Sequence, residues 1–245
     1  MSTQLFIVTG ASGRLGEAYI EALKKDGKEV IGISRKPISS KADKVIQLDL
    51  LDRVQTKPVI QEIDLSGYTK IYLIHTVGKF KFEKGQEVLD NDKDGIDDEV
   101  YATNVLTLKN LIEPLLISVK NQKVIICAFA SVSDRHDVPY WKSYTHSKNI
   151  LRKYLQMLYD FEKISAALMV NVSTIDTGNE NTLRPFADKT YWLKSEEIVS
   201  KSLPVLESLQ AYAEIDVIKE KPNFDEKYYS DHSAILEKWH REMGI

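Results

Sequence analysis

The chain has 245 residues, 43% apolar and 28% charged, which is ordinary for a soluble globular protein and a common length for an open α/β sheet forming one domain. Its 33 basic and 36 acidic residues give a net charge of -3, so there is no electrostatic footprint for nucleic acid, and one cysteine, Cys127, excludes an internal disulfide. The sequence shows no basic-then-apolar leader and no apolar stretch near the ~20 residues of a membrane helix, so a cytoplasmic protein with no membrane partner is expected.

Apolar runs predict strands at 4 to 9, 28 to 34, 44 to 48, 70 to 76, 123 to 130, 165 to 173 and 213 to 218. Between them, apolar residues at helical spacing predict helices at 14 to 26, 52 to 64, 97 to 120, 142 to 163, 195 to 209 and 231 to 243. Strands alternating with helices imply a doubly wound α/β fold, a parallel sheet covered on both faces. Cys127 falls within the apolar run Val124 to Ala130 and reads as a buried strand thiol. Residues 222 to 245 extend past the last strand, and Ile235, Leu236 and Trp239 form an apolar stripe expected to pack on the body.

The first strand runs into Gly10-Ala-Ser-Gly13-Arg-Leu-Gly16 and then a helix. Backbone N–H groups at a helix start carry partial positive charge, and a pyrophosphate approaches them only where no Cβ intrudes. Gly10, Ser12, Gly13, Arg14, Leu15 and Gly16 are therefore the expected cofactor-binding residues of a dinucleotide turn. An enzyme selecting NAD typically has an acid about 20 residues past the glycines, on the ribose 2′-hydroxyl. Here Ser34 and Arg35 occupy that place: the hydroxyl can donate to a 2′-phosphate and the guanidinium can bind it, which favours NADP over NAD. Arg14 supplies a further positive charge.

Tyr144 and Lys148 stand four residues apart, on one helical face and roughly 6 Å along the axis. A fixed positive charge beside a phenol, whose ordinary pKa is about 10, favours the phenolate, so the pair is expected to exchange protons near neutral pH. Asp90 to Asp98 has the alternating acids of a calcium loop, but the twelfth position is Tyr101 instead of a bidentate Glu. A solvated acidic loop is expected there, with Asp97, Asp98 and Glu99 favouring a helix start, and no metal site. His136 and His146 show no ligand spacing and are expected at the surface or pocket rim.

Together, Ser131 thirteen residues before Tyr144, Asn104 twenty-seven before that serine, and the glycine turn resemble the short-chain dehydrogenase/reductase family over roughly residues 4 to 218. The resemblance implies a Rossmann fold and a catalytic tetrad of Asn104, Ser131, Tyr144 and Lys148. It implies that Tyr144 protonates the developing alkoxide and that Lys148 lowers the phenol's pKa and binds the nicotinamide ribose. Ser131 holds the carbonyl oxygen, and Asn104 organises a helix kink and a proton-relay water. Asp49, with Leu50 beside it, matches the adenine-contacting position, and His75-Thr-Val-Gly78 replaces the family's Asn-Asn-Ala-Gly, so His75 and Gly78 are expected beside the cofactor. The middle glycine falls one residue early, as in the epimerase-type branch, and Ile175-Asp176 replaces a Pro-Gly.

The activity this implies is hydride transfer between NADP and a small carbonyl or alcohol substrate, by a homodimer or homotetramer. A sugar-nucleotide epimerase and a non-catalytic NADP-binding redox sensor are the alternatives. Substrate choice is expected to rest with a lid at 177 to 195, where Arg184, Phe186, Tyr191 and Trp192 suggest both aromatic and polar walls.

Overall fold

The apolar runs become seven strands: β1 (Gln4–Thr9), β2 (Glu29–Ser34), β3 (Lys44–Gln47), β4 (Lys70–His75), β5 (Lys123–Ser131), β6 (Ala166–Val172) and β7 (Tyr212–Val217). They form one parallel sheet in the order β3-β2-β1-β4-β5-β6-β7 in a computed structural model that describes residues 3–83 and 97–245. The helices are α1 (Arg14–Lys25), α2 (Arg53–Gln61), α3 (Asp98–Tyr101), α4 (Thr107–Ser118), α5 (Lys142–Asp160), α6 (Gly178–Leu183), α7 (Ser195–Ser208) and α8 (His232–Met243). This is the doubly wound Rossmann architecture expected from the alternation.

Successive strand side chains point to opposite faces, and the core divides accordingly. Leu5, Ile7, Ile71, Leu73 and Ile126 pack on one face with Leu111, Leu115 and Leu155 of α4 and α5. Phe6, Val8, Tyr72, Ile74 and Leu168 fill the other with Tyr19, Leu23, Ile198 and Leu206 of α1 and α7. Phe6 and Tyr72 stack across β1 and β4 with centroids 4.5 Å apart. Cys127 lies fully buried in the second layer, and burial pushes its thiol up to about 12, so it packs as a small apolar group.

A third cluster closes the carboxyl end of the sheet. Trp239 and Ile235 of α8 join Phe82, Val138 and Trp141, so the carboxyl-terminal helix packs on the body through the predicted stripe. The strand order reverses between β1 and β4, where ligands of open α/β sheets bind, and Thr9 pairs with His75 at that edge.

The helix expected over 97 to 120 is interrupted. Ala102–Leu106 forms a π-helical turn between α3 and α4, and Asn104 lies within it. A π turn inserts one residue into the α ladder, and apolar spacing does not reveal it. Short elements also escaped the periodicity: α6 and the 3-10 turns Val132–Arg135, Pro139–Trp141 and Glu226–Ser230. Asp90 to Ile96 of the acidic loop lie outside the described residues. Asp97 is described, and it caps α3 by accepting from Val100 N at 3.0 Å while pairing with Lys81 at 2.7 Å. Among the described residues no group of acids, His or Cys could hold a metal ion.

Candidate active site

The glycine turn fits around its own backbone. Gly10 has φ +68°, in the left-handed region, and a Cβ there would lie 2.6 Å from Thr76 Oγ1. A Cβ on Gly16 would lie 2.4 Å from the Gly10 carbonyl oxygen, which lets α1 pack close to the turn. Gly13 caps α1 without a side-chain hydrogen bond, so the first-turn N–H groups of Arg14, Leu15 and Gly16 keep their donors. These groups, with Ser12 in the same turn, could hold a pyrophosphate. The Arg14 side chain turns elsewhere. Its Nη1 donates to the Asp176 carbonyl and to Asp176 Oδ1, both at 3.1 Å, tying the turn to the loop after β6.

At the end of β2, Ser34 is buried and its Oγ accepts from Lys36 N at 3.2 Å, whereas Arg35 is exposed. Asp49 Oδ1 accepts from Leu51 N at 3.0 Å and shapes its own turn, with Leu50 buried beside it. The cap of α2 is Asp52 instead, which accepts from Gln55 N at 3.0 Å.

His75 was expected beside the cofactor, but its ring is consumed inside the fold. Nε2 lies 3.1 Å from Thr107 Oγ1, whose proton goes to the Thr103 carbonyl, so Nε2 is the donor. Nδ1 then accepts from Thr9 Oγ1 at 2.8 Å. Burial, reinforced by the charge of Lys148, lowers the imidazole to about 3. The ring is therefore a neutral strut between β1, β4 and α4.

Asn104 makes the tightest link. Its Oδ1 accepts from Lys79 N at 2.7 Å, and its Nδ2 donates to Lys79 O at 3.0 Å and to Ser147 Oγ at 2.8 Å. The amide clamps the loop after β4 to α5. Ser147 passes the link on by donating to the Tyr144 carbonyl at 2.7 Å. Within that loop, a Cβ on Gly78 would lie 3.4 Å from Lys148 Nζ and 3.5 Å from Asn104 Oδ1.

Three members of the predicted tetrad meet at this edge. Ser131 lies beside the Tyr144 phenol and acts to lower its pKa, and Lys148 Nζ lies 5.4 Å from the centroid of the Tyr144 ring. Ser131 Oγ also bonds Ser133 Oγ at 2.8 Å and accepts from Ser133 N at 3.2 Å. The electrostatics overturn one expectation. Tyr144 is raised above its ordinary range by burial and then by the charges of Asp134 and Glu180; Lys148 does not bring it toward neutrality. The ammonium lies over the ring, and burial lowers Lys148 itself to about 8, so desolvation wins over attraction. The phenol is held as a proton donor.

Sequence reasoning missed the support behind Ser131. Asp134 Oδ2 accepts from Ser131 N at 3.1 Å, and Arg152 Nη2 donates to the same carboxylate at 3.2 Å. Arg152 also reaches Asn171 Oδ1 at 3.0 Å and Glu214 at 3.0 Å. Tyr144, Lys148 and Arg152 recur every four residues on α5, so the spacing was a usable signal once Lys148 had been singled out. His136 lies against Tyr229 of the carboxyl-terminal segment, with centroids 4.1 Å apart, and His146 is exposed.

Residues 6–73 match the NAD dependent epimerase/dehydratase family. No curated protein matches the sequence. Among solved structures, a short chain dehydrogenase from Burkholderia cenocepacia J2315 in complex with NADP is 19% identical at a TM-score of 0.73, over 98% of this chain and 99% of that one. Thermoplasma acidophilum aldohexose dehydrogenase is 19% identical at 0.69, over 91% and 98% of the two chains. An alcohol dehydrogenase from the archaeon Thermococcus sibiricus, complexed with 5-hydroxy-NADP, is 18% identical at 0.69, over 90% and 99%. At these identities the likeness is one of fold: the chain has the fold of short-chain dehydrogenases and reductases.

Two outcomes test the site's construction. Because the folded pKa of His75 lies below the ordinary 6.5, the unfolded chain takes up the proton first, so this stability is full above that value and lost as pH falls toward about 3. Urea unfolding should show about 2 kcal/mol lost from this group between pH 7 and 5, and His75→Gln should lack that component. Equal pH dependence in both proteins would contradict it. Asp134 has no exposed side-chain surface, so Arg152→Ala strands a buried carboxylate and should cost about 3–5 kcal/mol. Asp134→Asn leaves Arg152 with Glu214 and should cost about 1–2 kcal/mol in the same melts.

Proposed function

We propose that the chain is an NADP-dependent oxidoreductase of the short-chain dehydrogenase/reductase type, reducing a carbonyl compound or oxidising the corresponding alcohol. The observation that carries this reading is Tyr144 beside Ser131, with Lys148 against its ring and a bare glycine turn at the neighbouring strand ends. The fold shared with solved dehydrogenases and the match of residues 6–73 support it.

The amides of Arg14, Leu15 and Gly16 would hold the pyrophosphate, and the absence of an acid at Ser34-Arg35-Lys36 favours a 2′-phosphate. Exposed Arg35 is the group best placed to meet that phosphate, since Ser34 is buried. Lys148, beside Gly78, would bind the ribose. The bound nicotinamide supplies or accepts the hydride. Ser131 orients the carbonyl oxygen, and Tyr144, neutral in the fold, donates its proton to that oxygen as charge develops there. Asp134 and Arg152 hold the serine in place for this step.

The match of residues 6–73 also favours a second reading, an enzyme like a sugar-nucleotide epimerase. Such an enzyme would convert substrate with no net change in cofactor oxidation, whereas the first reading requires stoichiometric NADPH consumption.

Tyr144→Phe should lower NADPH oxidation with an accepted carbonyl by at least about 100-fold while NADPH still binds, as expected for loss of a general acid. A rate near that of the unaltered enzyme would remove Tyr144 from the mechanism. Lys148 is held near about 8, so its charge is present below that pH and lost above it. The reduction rate should fall above about pH 8, and a rate still climbing through pH 9 would show that the ammonium is not required.

A further inference from the structure

The polar wall expected from the lid is spent on the fold. Arg184 is almost fully buried, with Nε donating to Glu180 at 2.7 Å, Nη1 to Glu242 at 3.0 Å and Nη2 to Thr174 at 3.3 Å. Its guanidinium lies 4.1 Å from the Trp239 ring centroid and 5.0 Å from that of Trp192. Donors and both neighbouring rings are engaged, so Arg184 bolts the lid to α8 and is not available to an anionic substrate.

What stands beside the Tyr144 phenol instead is aromatic. Phe80 meets the Tyr144 ring edge-on with centroids 5.1 Å apart, and its ring packs at 5.3 Å from Trp239 and 6.2 Å from Trp141. Phe80 and Tyr144 are both only partly buried, so they keep surface to offer, while the two tryptophans behind them are buried. The buried Trp141 Nε1 has no hydrogen-bond partner among the described residues, leaving one donor in an otherwise apolar wall. The acids whose charges bear on Tyr144, Asp134 and Glu180, are paired with Arg152 and Arg184, so neither guanidinium is left to hold an anionic substrate. Lys148 lies beside Gly78 and Asn104 and, on the reading above, serves the cofactor.

We propose that the substrate is an uncharged carbonyl compound bearing a flat apolar ring, an aryl ketone or aldehyde, whose ring lies against Phe80 while its carbonyl oxygen meets Tyr144 and Ser131. This rests on the oxidoreductase reading and adds the substrate class. In reduction, hydride from NADPH forms the new C–H bond and the carbonyl π pair moves to oxygen. That oxygen takes the Tyr144 proton, leaving NADP and an aryl alcohol, and the tyrosine is reprotonated from solvent.

The test compares acetophenone, cyclohexyl methyl ketone and phenylglyoxylate as substrates of the full chain with NADPH, following loss of nicotinamide absorbance. Acetophenone should exceed both in kcat/KM by about tenfold or more, the usual value of one pocket contact. In Phe80→Leu, which keeps an apolar side chain without the ring, the acetophenone-to-cyclohexyl ratio should fall toward one. That ratio does not depend on how much of the variant folds. Phenylglyoxylate equalling acetophenone, or a ratio unchanged in Phe80→Leu, would overturn the proposal. Titration of NADPH against tryptophan fluorescence separates the two levels. If NADPH binds and other carbonyls are reduced but not aryl ketones, the substrate class alone is wrong. If NADPH does not bind, the oxidoreductase reading fails and this inference falls with it.

Discussion

The buried amide of Asn104 holds the candidate site in register. It completes the backbone hydrogen bonding of Lys79 on one side and reaches Ser147 of α5 on the other. A peptide N–H and C=O left unpaired in this interior would cost about 1–3 kcal/mol each, so the loop after β4 is firmly committed to this arrangement. From that loop Gly78 meets Lys148 and Phe80 meets Tyr144, so both contacts are set by one side chain. The π turn at Ala102–Leu106 contains this amide, and such bulges are often found at functional sites.

Desolvation then decides the proton chemistry. Tyr144 is pushed up, Lys148 down to about 8 and His75 down to about 3, each toward its neutral form. The same burial gives three different outcomes. For His75 it makes a structural strut, for Lys148 a cation near its titration point, and for Tyr144 a proton held ready for donation. Asp134, kept behind Ser131 by Arg152, bears on both Tyr144 and Lys148 and joins the serine loop to the helix carrying them.

Much of this was legible from residues alone. Apolar runs located all seven strands, most plainly β1, β2, β4, β5 and β6, which are buried along nearly their whole length and must therefore be almost continuously apolar. The turn from Gly10 to Gly16 was readable because close backbone approach admits only glycine there. What stayed hidden depends on partners distant in sequence. Arg14 looked like a phosphate ligand, but Asp176 engages it across 162 residues of chain. Arg184 looked like a pocket wall, yet Glu242 of the last helix captures it. His75 seemed to line the cofactor loop, and two threonines from other elements claim its ring. Lys148 was expected to acidify Tyr144, but burial, which depends on packing from distant elements, raises the phenol instead.

The most direct test is a crystal structure of the chain grown with NADPH. The expected result is pyrophosphate on the N–H groups of Arg14, Leu15 and Gly16, the 2′-phosphate beside Arg35, and nicotinamide C4 facing the Tyr144 hydroxyl. A dinucleotide bound away from the glycine turn, or bound there with its nicotinamide remote from Tyr144, would contradict the assignment of this edge of the sheet as a hydride-transfer site.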